Sequence, residues 1–361
     1  MVRGVLSPSP REGAVFASAA ADDYILAAMS ERPAPDRRFS VAPMMDWTDR
    51  HCRAFHRVLT RRALLYTEMA VDQALIHGDP ERLIGFDPAE HPVAIQLGGA
   101  EPESLARAAR IAERFGYAEI NLNVGCPSDR VQSGCFGARL MLEPERVRDC
   151  LIAMAEAVSV PVTVKHRLGV DDQDPEKTLP AFIDTVAASG VTSFTVHARK
   201  AWLKGLSPKE NRDVPPLDYD LVHRLKAERP DLEIILNGGL KDLGQASENK
   251  GGLDGVMLGR AAYQTPWVLS GVDSGFFGAP DPVSDPVEAV LAHRPYMERR
   301  LAEGVKLHAM TRHMLGLFAG RPGARKWRRI LSAEANRPGA DWRVIERGLD
   351  AVASRPEPAT A

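Results

Sequence analysis

The stretch Ala118-Glu-Ile-Asn-Leu-Asn-Val-Gly-Cys-Pro-Ser128 decides the fold of this chain. Apolar Ile and Leu alternate in it with Asn121 and Asn123, as in a strand whose two faces meet different surroundings. The strand then breaks at a Gly-Cys-Pro turn, which leaves the Cys126 thiol on a stiffened loop at its carboxyl end. In an eight-stranded α/β barrel the catalytic groups lie at that end, so the stretch predicts both a fold and a site.

Eight β-rich runs recur along the chain at intervals of roughly 30 residues, each followed by a polar or Gly-containing break. They cover residues 39–42, 64–67, 93–97, 119–123, 162–166, 193–197, 233–237 and 254–258. Helical periodicity between them, as over 103–115 and 144–157, predicts an α/β protein with a closed (β/α)8 TIM barrel. A doubly wound open sheet is the competing fold, but it usually has a Gly-rich turn after the first strand, which this sequence lacks.

The sequence predicts three parts. Residues 1–37 are rich in Ala, Ser, Pro and Arg, which is typical of a disordered extension, and Met29 is a candidate natural start. Residues 38–275 hold the eight β-rich runs and form the predicted barrel. After a Pro- and Gly-rich break, helical patterns cover 287–303, 305–318, 324–333 and 342–353, which predicts a small all-α bundle over residues 285–355.

Composition excludes several classes of protein. The formal net charge is −2, yet residues 288–355 carry twice as many basic as acidic residues, which predicts an anionic partner for that part. The four cysteines form no CxxC pair and no His cluster accompanies them, so we expect no metal and a cytoplasmic protein. No apolar run approaches the ~20 residues that a membrane span needs.

All eight predicted strands end in residues that suit catalysis or ligand binding, too many to be ordinary caps. These are Pro43, Met44, Met45, Glu68, Gln96, Asn123 with Cys126, Lys165 with His166 and Arg167, His197, Asn237, Gly238, Gly239, Gly259 and Arg260. The glycines after the last two strands, together with Arg260, predict a phosphate site. The phosphate belongs either to a substrate or to a cofactor such as FMN. Gln96 and Asn237 are suited to form hydrogen bonds with the flat ring of FMN.

Two of these residues have alternative chemistries. Cys126 acts either as a thiolate nucleophile or as a thiol that gives up a proton. Lys165 either forms a Schiff base, as in an aldolase, or donates to an anionic ring.

Two basic stretches contain aromatic residues, which suits a nucleic-acid backbone with an unstacked base. The loop after the sixth strand carries Lys209 and Arg212, and the segment 321–329 carries Arg325 and Arg328 beside a Trp. An RNA-binding protein without catalysis is therefore another interpretation, although it leaves the strand ends unexplained.

The sequence resembles the tRNA-dihydrouridine synthases, and most closely their bacterial A-type subfamily. Matching blocks include Asn121-Leu-Asn-Val-Gly-Cys-Pro-Ser-Asp-Arg130, Val162-Thr-Val-Lys-His-Arg167 and Gly255-Val-Met-Leu-Gly-Arg260. The resemblance runs from about residue 39 to 353, and its blocks are long and ordered.

This resemblance implies a monomeric FMN enzyme that uses NADPH to reduce uridines at positions 20 and 20a of the tRNA D-loop. Hydride passes to C6 of the uracil, and Cys126 protonates C5. By motif, the implied FMN contacts are residues 43–45, Gln96, Lys165, His197, residues 237–239, Gly259 and Arg260. The implied tRNA contacts are Asn123, Lys209, Arg212, Arg325 and Arg328. The alternative is an FMN barrel that acts on a free pyrimidine, similar to dihydroorotate dehydrogenases, which leaves the basic bundle without a role.

Overall fold

Eight parallel strands close into a barrel in the computed structural model, which describes residues 34–128 and 134–353. In chain order they are β1 (Phe39–Val41), β2 (Leu64–Val71), β3 (Val93–Gly98), β4 (Glu119–Val124), β5 (Val162–Arg167), β6 (Ser193–His197), β7 (Glu233–Asn237) and β8 (Gly255–Leu258). Each strand pairs with its sequence neighbours, and β1 closes the ring against β8 with Phe39 opposite Val256. The predicted (β/α)8 barrel is therefore confirmed, and the open sheet is wrong.

Helices lie in the connections between the strands, and within the described residues only helices and turns follow β8. In chain order they are α1 (Arg50–Leu59), α2 (Asp72–His77), α3 (Pro80–Ile84), α4 (Pro102–Arg114), α5 (Pro144–Ala157), α6 (Pro175–Ala187), α7 (Tyr219–Glu228), α8 (Leu243–Lys250), α9 (Arg260–Gln264), α10 (Val272–Phe277), α11 (Pro286–Ala302), α12 (Leu307–Thr311), α13 (Ala324–Glu334) and α14 (Trp342–Ala353). The predicted helix over 305–318 is wrong in extent, because α12 ends at Thr311 and a 3₁₀ turn, Arg312–Met314, follows. Within the described ranges, no helix is both long and apolar enough to cross a membrane.

The chain divides into residues 1–34 and a unit that begins at Pro35. Met29 and most of the predicted extension lie outside the described residues. Arg37, at the predicted end of that extension, is a barrel residue: its side chain is 9% exposed and lies among the amino ends of the strands.

Strand β4 shows how the barrel acquires a polar interior. Ile120 and Leu122 join the apolar core that the strands share with the surrounding helices. Glu119 and Asn121, on the alternate face, are fully buried and bond to side chains of other strands. The alternation in the sequence therefore places the apolar residues on the side of β4 that faces the helices and the polar residues on the side that faces the barrel interior.

A buried ionic cluster closes the amino end of the barrel. Arg37 donates to the Glu119 carboxylate (2.6 Å) and to the Glu233 carboxylate (2.9 Å). Glu119 also accepts hydrogen bonds from the Tyr66 and Thr163 hydroxyls. Although burial opposes its charge, the two carboxylates hold the pKa of Arg37 above its ordinary value.

The C-terminal helices pack against α1, the first helix of the barrel. Asp49 caps α1 by accepting hydrogen bonds from two backbone N–H groups of its first turn. The same carboxylate binds the Arg312 guanidinium (2.5 Å) and lies 3.0 Å from the His313 Nε2. Burial opposes ionisation, but His313 and Arg312 hold the pKa of Asp49 well below its ordinary value. One carboxylate therefore ties the start of the barrel to the C-terminal helices.

Candidate active site at the carboxyl ends of the strands

Cys126 lies on the loop that follows β4, and its side chain is half-buried. The Asn123 Oδ1 shapes this loop by accepting hydrogen bonds from the backbone N–H groups of Gly125 (3.1 Å) and Cys126 (3.0 Å). The Cys126 Sγ is 3.4 Å from the Ser128 Oγ. A thiol that is fixed in position yet open on one side can exchange a proton with a bound substrate.

A row of polar side chains continues from Asn123 into the barrel. Its Nδ2 donates to the Gln96 Oε1 (2.7 Å), and the Gln96 Nε2 donates to the Asn121 Oδ1 (2.8 Å). Asn121 in turn donates to the Thr163 hydroxyl (2.9 Å). Both ends of the Asn123 amide are thus bonded within the protein, and they fix the orientation of the Cys126 loop.

Basic side chains from β5 and β6 line the same end of the barrel. Lys165 and Arg167 end β5, and neither forms an ion pair with a carboxylate within the described ranges. Burial and the Arg167 charge lower the pKa of Lys165 to about 7. Burial, Arg167 and Lys165 likewise lower the pKa of His197, which ends β6. Cations without counter-ions favour an anionic ligand at this position.

The turn after β7 requires its two glycines. Gly238 has φ 113° and Gly239 has φ 72°, a region that favours glycine. A Cβ at Gly238 would lie 2.6 Å from the His197 Cδ2, and one at Gly239 would lie 2.4 Å from a methyl carbon of Leu217. Asn237 supports the turn by donating to the backbone oxygen of Met257 (2.8 Å). The two glycines are therefore needed for His197 and Leu217 to pack against the backbone of this turn.

Arg260 begins α9, directly after Gly259 and β8. Its guanidinium donates to the Asp213 carboxylate (2.7 Å), on the loop that follows β6. Arg260, which the sequence predicts to bind a phosphate, is therefore already bonded to that loop. Its remaining N–H donors are available to an anion.

The loop after β1 lies beside the loop after β8. A Cβ at Gly259 would lie 3.8 Å from the Met44 Sδ, while Met45 is 53% exposed. The Trp47 ring stacks on the Tyr263 ring with centroids 4.4 Å apart. The predicted residues 43–45 thus present apolar surface next to the predicted phosphate site.

The family model of the dihydrouridine synthases matches residues 40–349. This chain belongs to the dihydrouridine synthase family. It is 55% identical over 331 residues to the tRNA-dihydrouridine(20/20a) synthase of Xanthomonas axonopodis pv. citri, with 91% of this chain and 98% of that protein covered. It is 56% identical over 319 residues to the protein of the same name from Escherichia coli (strain K12), with 88% and 92% covered.

A solved complex of 2-naphthoyl-CoA reductase with 2-naphthoyl-CoA is similar in fold alone. Its TM-score is 0.51 at 12% sequence identity, and the match covers 67% of this chain and 50% of that chain.

Dihydrouridine synthases are flavin-dependent oxidoreductases, and the residues at this end of the barrel fit such a group. Lys165 and Arg167 offer charge that no carboxylate of the described residues neutralises. The turn at Gly238 and Gly239 packs against His197 and Leu217 with no room for a Cβ, which keeps bare backbone at this strand end. No cluster of three or more His, Cys, Asp or Glu side chains within residues 34–128 and 134–353 is placed to hold a metal ion.

Four of the five predicted tRNA contacts of this dihydrouridine synthase fall on two surfaces, and the fifth, Asn123, lies in β4 with its amide bonded within the protein. Lys209 and Arg212 are exposed on the loop after β6, and the Arg212 backbone oxygen accepts from Arg260 (3.4 Å). Arg325 and Arg328 are exposed on α13, which packs against α12 and α14. The structure therefore places the first pair beside the barrel mouth and the second pair on the C-terminal helices.

Sequence reasoning missed the residues that join the loops of this family member. Asp213 pairs with Arg260 across 47 positions, and Arg167 bonds to backbone of the loops after both β4 and β6. The only signal was the position of Arg167 at a strand end, since such long-range pairs leave no local pattern.

Proposed function

We propose that this chain reduces the C5=C6 bond of uridines at positions 20 and 20a of the tRNA D-loop to 5,6-dihydrouridine, with FMN and NADPH. The observation that carries the proposal is the ordered, half-buried Cys126 thiol at the end of β4. Reduction of a carbon–carbon double bond needs a proton at one carbon as well as hydride at the other. The name shared by the curated relatives supports tRNA as the substrate.

The FMN site is proposed at the carboxyl ends of the strands. Its residues are Pro43, Met44, Met45, Gln96, Lys165, His197, Asn237, Gly238, Gly239, Gly259 and Arg260. When bound and reduced by NADPH, the flavin supplies hydride for C6 of the uracil. Lys165 and Arg260 bind anionic parts of the cofactor, and the glycines admit it close to the backbone.

Cys126 gives its proton to C5 of the uracil. The S–H bond breaks, the proton joins carbon, and the sulfur keeps the electron pair as a thiolate. Lys165 and Arg167 lie close enough to interact electrostatically with charge on the Cys126 sulfur. Asn123 holds the loop so that the thiol stays in one position throughout.

RNA binding uses both basic surfaces. The target uridine must leave its stack to reach the barrel, which favours phosphate contacts beside the mouth. Asn123, Lys209 and Arg212 contact the RNA there, and Arg325 and Arg328 hold the body of the tRNA. We assign catalysis to residues 38–275 and tRNA binding to residues 285–355 of a monomer.

The experiment that tests this function incubates the FMN-loaded protein with NADPH and tRNA that lacks dihydrouridine. Mass spectrometry of nuclease fragments is expected to show the gain of two hydrogens at positions 20 and 20a. A matched Cys126→Ala protein controls for uncatalysed reduction. Unchanged tRNA together with NADPH-dependent reduction of a free pyrimidine would favour the dihydroorotate dehydrogenase-like alternative instead.

A further inference from the structure

Arg167 is a buried arginine whose hydrogen bonds go to backbone rather than to a carboxylate. Its side chain is 3% exposed. The Nε donates to the backbone oxygen of Gly125 (3.0 Å), and the Nη1 donates to those of Lys200 (3.1 Å) and Asn211 (2.9 Å). One guanidinium therefore bonds to two different loops at once.

The first of these loops carries Cys126. Gly125 immediately precedes it, so the acceptor oxygen belongs to the peptide group that ends in the Cys126 nitrogen. A Cβ at Gly125 would lie 3.4 Å from the Arg167 Cγ, which shows how closely the arginine lies along this backbone. Any shift of Arg167 consequently moves the thiol.

The second loop carries the proposed RNA contacts Lys209 and Arg212. Asn211 is fully buried between them, and its side chain bonds to both the backbone nitrogen (2.7 Å) and oxygen (2.9 Å) of Trp202. This part of the loop is therefore rigid, and Arg167 fixes it through the Asn211 oxygen.

We propose that Arg167 is a positioning residue that sets the Cys126 thiol relative to the RNA-binding loop and places a cation beside the sulfur. The inference rests on the proposed function, since it assigns Cys126 the proton transfer to C5. The three backbone oxygens fix the guanidinium, and the guanidinium in turn fixes both loops. The Arg167 cation interacts electrostatically with charge on the Cys126 sulfur.

The test compares Arg167→Met, Arg167→Lys and the control Arg110→Met, an exposed arginine on the outer helix α4. Each FMN-loaded protein is reduced first, and a single turnover is then timed at saturating tRNA. Both Arg167 variants are expected to slow by about 10²-fold, because a displaced donor loses that much. FMN content stays within about threefold of wild type, because Arg167 is not among the proposed FMN contacts, and saturating tRNA separates the rate from any loss of RNA affinity through the loop.

The alkylation rate of Cys126 separates the effect of the Arg167 charge from the effect of its position. Alkylation of Cys126 by iodoacetamide at neutral pH is expected to slow in Arg167→Met and to persist in Arg167→Lys, which keeps the cation. The exposed Cys135 is the internal reference, and trypsin separates the two cysteines at Arg130.

Three results would overturn the inference. They are wild-type single-turnover rates in the Arg167 variants, a rate loss that excess tRNA restores, and unchanged alkylation of Cys126 in Arg167→Met. If Arg167→Met does not fold, the rate of Arg167→Lys decides alone. Failure of wild-type protein to form dihydrouridine would instead remove the proposed function.

Discussion

Each end of the barrel holds a buried arginine, and the two arginines have different hydrogen-bonding partners. At the amino end, Arg37 lies between the carboxylates of Glu119 and Glu233. At the carboxyl end, Arg167 donates to backbone oxygens of the two neighbouring loops, and its charged neighbours include Lys165 and Cys126. Carboxylates therefore neutralise the buried arginine at the amino end, whereas the buried arginine beside the proposed site has no carboxylate partner among the described residues.

The largest expected effect comes from removing the reactive group at the carboxyl end. Cys126→Ala is expected to lower the rate of dihydrouridine formation on the order of 10³-fold, since it removes the proposed general acid. Thermal unfolding and FMN content should match wild type, because the thiol bonds only to Ser128 in this loop. Turnover of this variant within a few-fold of wild type would show that another group protonates C5.

The opposite result is expected at the amino end. Arg37→Met is expected to lower the free energy of unfolding by about 3–5 kcal/mol, because it leaves the buried Glu119 carboxylate without its cation. Denaturant titration measures this loss, and the rate per folded molecule should stay close to wild type.

The adjacent Arg38 provides the control for Arg37, since its ion pair with Asp36 is exposed. Arg38→Met should cost less than about 1 kcal/mol. Equal losses for both variants would contradict the contrast between buried and exposed pairs.

The pH dependence of FMN binding sharpens the comparison further. Burial and Arg167 lower the pKa of Lys165 to about 7, so free protein carries neutral Lys165 above that pH. Binding of the anionic cofactor then takes up a proton, and affinity should fall by up to about tenfold per pH unit as pH rises above 7. Calorimetric titration of FMN into the apoprotein measures this slope. Lys165→Met should flatten it, and a flat wild-type profile would contradict a role for this lysine charge.

The smallest effect is expected away from both ends of the barrel. The double variant Arg325→Ala, Arg328→Ala should weaken tRNA binding by roughly threefold to tenfold and lower its salt slope by about two. The single-turnover rate at saturating tRNA should not change. Filter binding over a range of salt concentrations measures both quantities, and an unchanged slope would place the tRNA elsewhere.

Much of the barrel could be predicted because its strands carry local signals. Strands β6 and β7 begin and end where the sequence predicts, since runs of β-branched and apolar residues are bounded by polar or Gly residues. Because all parallel strands end at one rim, the residues that follow them could be assigned to one site.

The failures have a common physical cause, which is contact between distant parts of the chain. The helix predicted over 305–318 gives way to a turn where Arg312 and His313 reach Asp49. Gly316 packs so closely on the Gln264 oxygen that a Cβ would lie 1.8 Å from it. Long-range contact also explains what was missed in the site, where Arg167 bonds to the backbone of Asn211, 44 positions away.

The Asp49 contact bears on how such proteins can be recombined. A chimera that exchanged the C-terminal helices for those of another protein would separate Asp49 from Arg312 and His313, leaving a carboxylate at the start of α1 without either partner. The loop of residues 43–48 directly precedes that carboxylate. A graft would therefore disturb the proposed flavin contacts at residues 43–45 even if every RNA contact were preserved. Interchange of RNA specificity between such enzymes therefore requires the transplanted helices to bring an equivalent cationic anchor.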